Sequence, residues 1–176
     1  MEKIIFLKAF GGIVLQSVFI FSNDKKQLNI FCKNSFNKSY KGKNLFFSYK
    51  SLNIHVSDVP IDLFSKNSVV IFLDVSKEFE DMYINKDSLC IVESENHTAM
   101  KILAKNKATA IVCGNNKTDT ISLSSIKENG IIVCQQRIIK TVYGKHIEPC
   151  EFAYNASVLS SIPTVLLSAA LSIVIN

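Results

Sequence analysis

The chain has 176 residues, of which 48% are apolar and 20% are charged, so it can bury one full-sized core and is not a disordered protein. Its six glycines and three prolines exclude collagen-like, Pro-rich and Gly-rich low-complexity classes. The net charge of +5 comes from lysines scattered through predicted loops and a single arginine, Arg137, a pattern that indicates a solvated surface and predicts no nucleic-acid binding.

The N-terminal apolar stretch, residues 4–21, is interrupted by Lys8, Gln16 and the pair Gly11-Gly12. It predicts a strand over residues 3–8, a glycine turn and then a buried helix or second strand up to Phe21, with a membrane anchor as the alternative. The glycine pair matches neither GxxxxGK[ST] nor GxGxxG, so it predicts no phosphate loop. Residues 28–33 and 44–56 are predicted strands, separated by the polar loop 33–43.

The middle of the chain, residues 67–114, alternates in the manner of a βαβαβ unit. Continuous apolar runs predict buried parallel strands over residues 68–73, 88–93 and 108–113. Between them lie a short acidic helix over residues 77–83, with Ser76 as its cap, and a helix over residues 98–106, capped by Ser94 or Asn96.

The pattern changes to a β meander after Gly114, with predicted strands over residues 120–126, 130–139 and 146–154. Residues 158–175 carry no charge, and a helix over 162–175, capped by Ser161, would be only about 21 Å long against a bilayer core of about 30 Å. We therefore expect a buried helix that closes the core, with a C-terminal membrane anchor as the alternative.

The predicted fold class is α/β: a parallel Rossmann-like sheet, then a β meander, then a C-terminal apolar helix. We expect one domain over residues 1–176, of which residues 1–60 have the weakest pattern.

The five cysteines form an odd number and include no CxxC pair, so the sequence predicts neither a zinc site nor a fully paired disulfide framework. Four of them lie in predicted strands, where a free thiol behaves as a small apolar group: Cys32, Cys90, Cys113 and Cys134. This usage favours the reducing cytoplasm.

The best candidate binding site is the loop after the third parallel strand, because open α/β sheets place ligands at the carboxyl ends of their strands. We expect Gly114, Asn116, Thr118 and Asp119 to supply donors and acceptors to a small polar ligand. The alternative is an Asx-type turn in which Thr118 and Asp119 bind only backbone donors.

No catalytic constellation stands out. Glu93 and Glu95 end a strand and could serve a metal or acid/base chemistry, but helix capping by Ser94 or Asn96 explains this segment without a ligand. The three histidines have no zinc-ligand spacing, and no GxSxG element occurs. The sequence thus predicts no catalytic residue, no metal ligand and no cofactor.

Residues 69–175 resemble the end of the central domain of the Mur ligases, the ATP-dependent enzymes that add amino acids to cell-wall precursors. The matching pieces are a strand and turn at 91–96, a helix at 100–105, a strand ending in Gly at 111–114, the meander through Glu151 and an Ala-containing helix at 157–173. Short bacterial relatives of those ligases are similar in Asp119-Thr120, residues 124–126, Gln136-Arg137 and residues 147–149. The glycine-rich ATP loop and the DHxD-like segment of the ligases are absent.

The resemblance implies a Mur-ligase-like fold without the parts that hold ATP and magnesium. We therefore expect a non-catalytic protein that binds a small polar ligand or a protein partner, in cell-envelope metabolism. Two alternatives stay open: a transferase or ligase subunit that completes its nucleotide site with a partner, and a membrane-anchored accessory protein associated through its C-terminal apolar segment.

Overall fold

The computed structural model describes residues 17–42, 44–128, 130–156 and 161–176. The helices in these ranges are α1 (Lys25–Phe36), α2 (His97–Asn106) and α3 (Ile162–Val174). The strands are β1 (Ser17–Phe21), β2 (Leu45–Tyr49), β3 (Leu52–Ser57), β4 (Val69–Phe72), β5 (Leu89–Glu93), β6 (Thr109–Gly114), β7 (Ile121–Lys127), β8 (Gly130–Gln135), β9 (Ile139–Lys140), β10 (His146–Ile147) and β11 (Cys150–Tyr154).

Nine strands form one sheet in the order β11-β8-β7-β6-β5-β4-β1-β3-β2, and β9 and β10 form a separate hairpin. The six strands from β7 to β3 in that order pair in parallel, whereas β2, β8 and β11 pair with their neighbours in antiparallel fashion. The predicted fold class, a mainly parallel α/β sheet with a meander and a C-terminal helix, is confirmed.

The three central strands run side by side as predicted, with Ile71 opposite Ile91 and Ile91 opposite Ile111. Their amino ends lie at one edge of the sheet, where the hydroxyls of Ser68 and Ser88 are 2.8 Å apart. Their carboxyl ends therefore lie at the opposite edge, and the loops after β4, β5 and β6 share it.

Two layers of helix and loop cover the sheet. On one face α1 and α3 pack on a core that includes Val18, Ile20 and Ile91. On the other face α2 and a single 3-10 turn, Lys77–Phe79, pack on a core that includes Phe21. The strand period of two explains this division, because consecutive side chains of β1 point to opposite faces.

The N-terminal third differs most from the prediction. Residues 28–33 form part of α1, not a strand, so Cys32 lies in a helix. The reason is an amphipathic pattern in which Leu28, Phe31, Cys32 and Phe36 are all buried at helical spacing, together with an N-cap at Asp24.

The predicted single strand over 44–56 is two antiparallel strands, β2 and β3, because the chain turns at Lys50, where φ is +53°. For the residues up to Phe21 the second-strand alternative is confirmed by β1. The predicted strand over 3–8 and the Gly11-Gly12 turn lie outside the described residues.

Three further predictions have corrected boundaries. The acidic helix expected over 77–83 is only the 3-10 turn, and the Ser76 side chain donates or accepts no capping bond. The strand expected over 130–139 ends at Gln135 and resumes as β9. The strand expected over 146–154 is divided into β10 and β11 around Pro149, which has no N–H to donate to a ladder.

The predicted buried helix at the end of the chain is confirmed as α3, of which nine residues are buried. Val142 donates a backbone bond to Val174, and the Cys113 thiol lies 4.0 Å from the Leu166 carbonyl oxygen, so the helix is fixed to the sheet along its length. Among the described residues, no helix combines the length and the apolar character needed to cross a bilayer.

Candidate functional site

The predicted loop after β6 lies at the carboxyl edge, and three of its four predicted residues come together there. Asp119 is buried, and its Oδ2 accepts a bond from the Asn116 backbone N–H at 2.8 Å. The Asp119 N–H in turn donates to the Asn116 carbonyl at 3.0 Å. Thr118 is exposed at the tip of the loop. Asp119 thus closes a β-turn over residues 116–119 with both its N–H and its carboxylate, and this turn presents Asn116 and Thr118 at the surface.

The loop is packed closely against the end of β5. A Cβ at Gly114 would lie 2.5 Å from Asp119 Oδ2 and closer still to the Ser94 hydroxyl, so only glycine fits this position. Asn116 donates its side-chain amide to the Ser94 hydroxyl at 3.3 Å. Ser94 is therefore a member of this site, whereas sequence reasoning considered it only as a helix cap.

The carboxylates of this edge form a second group next to the loop. Glu93 is half-buried, and burial together with the neighbouring Glu95 and Asp74 raises the pKa of its carboxyl above the usual range. Among the described residues, none of these three carboxylates lies within 4.0 Å of a lysine, arginine or histidine nitrogen. Within the described part of the chain, this edge therefore carries negative charge that no ion pair offsets.

We expect Glu93→Gln to stabilise the protein at pH 7, by less than about 1 kcal/mol because the group is partly exposed. The pKa of Glu93 is higher in the folded than in the unfolded state, so its ionisation lowers the free energy of unfolding as the pH rises from the unfolded-state pKa to the folded-state pKa. The glutamine side chain does not ionise, so the variant does not lose this stability. The measurement is the unfolding temperature of both proteins between pH 4 and 8. The gain should vanish below the ordinary glutamate pKa, and the exposed control Glu148→Gln should show no gain at any pH.

Helix capping at Glu93 to Asn96 follows the prediction in part. Asn96 is the N-cap of α2 and accepts a bond from the Ala99 N–H at 3.0 Å, and its amide group also donates to the Leu73 carbonyl. The cap thus ties the end of β4 to the start of α2. In the described ranges, no three His, Cys, Asp or Glu side chains are grouped so that they could hold a metal ion.

The switch point of the sheet lies between β1 and β4, because the chain adds β3 on one side of β1 and β4 on the other. Doubly wound proteins bind ligands at this position, often with a phosphate on the first helix N-terminus. Here the Asp24 carboxylate accepts from the Lys26 and Gln27 N–H groups at 2.8 and 3.3 Å. These donors at the start of α1 are satisfied by the chain itself.

The same crevice is closed further by bonds between the two loops. Gln27 Oε1 accepts from the Asp74 N–H at 2.9 Å, and the Ser22 hydroxyl donates to the Asp74 carbonyl at 2.9 Å. Asn23 Oδ1 accepts from the Ser76 N–H at 2.5 Å. A phosphate would have to displace this network and approach the Asp24 carboxylate, so the geometry disfavours a nucleotide at this point.

A small cleft lies elsewhere, between the end of α1, the end of α3 and the β2–β3 turn. It has about 50 Å³ of space for water-sized molecules, and Ser35, Lys50 and Tyr154 are among its lining residues. The cleft is much smaller than the roughly 300 Å³ at which organic ligand sites begin, so it suits ordered water.

Three of the five thiols are buried and have no nucleophilic role in this arrangement. Cys113 lies at the candidate edge but is buried, and burial raises the pKa of its thiol far above neutrality. Burial also raises the pKa of Cys32 and of Cys90 to about 12. Only the thiolate is a nucleophile, so these three side chains are packing groups at neutral pH.

We expect Ellman's reagent to modify Cys150 rapidly in the native protein and the half-buried Cys134 slowly, because these two thiols have solvent access. The other three should react only when denaturant unfolds the chain. Rapid modification of three or more thiols in the native protein would contradict the packing of the helices on the two faces of the sheet, because Cys32 and Cys113 are buried in the core on one face and Cys90 in the core on the other.

The histidines do not converge on one site. His55 lies between the rings of Phe19, which is stacked on it, and Phe46, which is tilted against it, with each centroid 4.7 Å away, and burial lowers the pKa of its imidazole. His97 begins α2, and His146 begins β10.

The sequence analysis does not predict the Ser22–Gln27 turn at the switch point, which the chain closes with its own hydrogen bonds. The Asp24 cap before an amphipathic run was the available signal for this turn.

No protein-family model matches the chain, and no curated protein matches it either.

Proposed function

We propose that this is a non-catalytic, Mur-ligase-like protein of cell-envelope metabolism that binds a small polar ligand at the carboxyl edge of β4, β5 and β6. The observation that carries the proposal is the negative charge of Asp74, Glu93 and Glu95, beside the polar loop after β6, which no ion pair among the described residues offsets. Such an edge attracts a ligand with a cationic group, for example the amino group of an amino acid or peptide.

The loop residues supply the neutral part of the recognition. Asn116 presents an amide and Thr118 a hydroxyl at the surface, and Ser94 adds a second hydroxyl next to them. Asp119 acts through the turn that it closes, because one of its carboxylate oxygens is held by the Asn116 N–H. Carboxylates, an amide and hydroxyls together suit an amine-bearing, hydroxylated or peptide-like molecule.

The order of elements supports the resemblance to the Mur ligases. A strand with a polar turn, a helix, a strand ending in Gly114, a meander and an Ala-containing helix occur in the order that the resemblance implies. Asp24 occupies N–H groups at the start of α1 that could otherwise bind a phosphate. This arrangement favours a binding protein that uses no nucleotide over the alternative of a ligase or transferase subunit.

Isothermal titration with L-lysine, ATP and UDP-sugars tests the proposal. We expect heat with L-lysine, a loss of affinity of about tenfold or more in Glu93→Gln, and no change in the control Glu80→Gln, whose carboxylate is paired with Lys101 at 3.2 Å. ATP and UDP-sugars should give no heat. Tight ATP binding by the isolated chain, or unchanged L-lysine affinity in Glu93→Gln, would overturn the proposal.

A further inference from the structure

The two edge strands of the sheet are protected to very different extents. β11 follows Pro149 and carries the exposed charge of Glu151, two features that prevent the addition of another strand. β2 has the sequence LFFSY, with no charge and no proline, and it pairs with β3 in unbroken register. Among the described residues β3 is its sole pairing partner, so its outer N–H and C=O groups form a template for a further strand.

The side chains of β2 also favour pairing. Phe46 is 58% exposed although its ring contacts that of His55 in a tilted arrangement. On the other face Phe47 and Tyr49 are half-buried and contact the Phe36 ring, with centroids 5.3 and 5.1 Å apart. A strand added at this edge would extend both surfaces and cover Phe46.

We propose that β2 pairs with β2 of a second copy of this chain, antiparallel and with the two-fold axis at Phe47. In that register Leu45 faces Tyr49 of the second copy and Phe47 faces its own equivalent, so apolar side chains meet on one face. On the other face Phe46 meets Ser48. Just beyond the strand, Lys50 faces Asn44 of the second copy. At these positions the register therefore places no two like charges opposite each other.

Because β2 is complementary to itself, we expect the strand added at this edge to be β2 of a second copy. A regular five-residue strand that carries no charge and has Leu, Phe and Tyr side chains on one face matches itself in the antiparallel direction without a partner of special sequence. The pairing joins two nine-stranded sheets into one continuous sheet across the two-fold axis.

Charge variants on the exposed face test the register. In Phe46→Lys with Ser48→Lys, two lysine pairs face each other across the axis, and the dimer dissociation constant should rise about tenfold or more relative to Phe46→Lys with Ser48→Glu, in which each lysine faces a glutamate. Both double variants remove the same Phe46 ring, so the difference between them reports the pairing alone. Circular dichroism verifies that each variant is folded.

Sedimentation over a concentration series provides the readout. We expect the wild-type mass to rise from 19.7 kDa towards twice that value, and Ala153→Lys on β11 to behave like wild type. A wild type that stays monomeric at all concentrations, or equal dissociation constants for the two double variants, would overturn the proposal.

Discussion

Replacement of Ala170 by Lys should prevent the chain from folding. Ala170 is fully buried in the core on the α1 and α3 face of the sheet, and an unpaired ammonium there costs more than about 4 kcal/mol, against a total stability of about 5–15 kcal/mol for a domain. The matched control is Ala104→Lys, on the exposed face of α2, which should change stability by less than about 0.5 kcal/mol. Far-ultraviolet circular dichroism and thermal unfolding measure both.

A milder change keeps the effect of α3 measurable if Ala170→Lys yields no folded protein. Leu167→Ala should destabilise the protein by about 2–5 kcal/mol, because Leu167 is 2% exposed and its removal leaves a cavity. If α3 were a membrane anchor attached to a separate domain, the soluble part of both variants would unfold at the wild-type temperature.

Gly114→Ala should destabilise the candidate site by about 1–3 kcal/mol through overpacking, since its Cβ would collide with the Asp119 carboxylate and the Ser94 hydroxyl. Either β6 or the turn closed by Asp119 must move to accommodate the methyl group. The measurement is the free energy of unfolding in urea.

The second variant, Ser94→Gly, identifies the collision. It removes one of the two groups that a Cβ would meet, so Gly114→Ala should cost less in the Ser94→Gly background than in wild type, and the two changes should couple. Additive effects, or a Gly114→Ala variant as stable as wild type, would show that the loop does not pack on β5 as described.

The centre of the fold was predictable because parallel strands buried on both faces are continuous apolar runs. β4 and β5 have this pattern, and β6, which is buried only at Ile111 and Cys113, still has a continuous apolar run over residues 110–113. The α2 crossover between β5 and β6 has its cap and its helical period in the sequence. The place of β1 was not predictable. Its insertion between β3 and β4 depends on contacts between residues that are far apart in sequence. The five residues of β1 do not indicate which strands pair with it.

The prediction of a strand in place of α1 is wrong because a short apolar run fits both a strand and a helix. Residues 28–31 alone are compatible with a strand, and the helical spacing becomes clear only when Phe36 is included in a longer window. Here the Asp24 side chain was the stronger local signal.

The candidate site was predictable in position but not in detail. The loop from Gly114 to Asp119 follows from the strand-end rule, whereas the burial of Asp119 and the contact of Asn116 with Ser94 depend on how closely β5 and β6 approach. Asp74 follows β4, whereas Glu93 and Glu95 lie at the end of β5, about twenty residues later in the sequence. Only the pairing of β4 with β5 brings these three carboxylates together.

The shared carboxyl edge can be measured directly with a nitroxide on Lys117→Cys, in a protein whose accessible Cys134 and Cys150 are replaced by Ser. We expect the spin label to broaden the amide NMR signals of Ser76 and Asn96, after β4 and β5, and to leave those of Ser68 and Ser88 sharp at the opposite edge. Broadening of Ser68 and Ser88 with sharp signals from Ser76 and Asn96 would contradict the parallel arrangement and, with it, the proposed site.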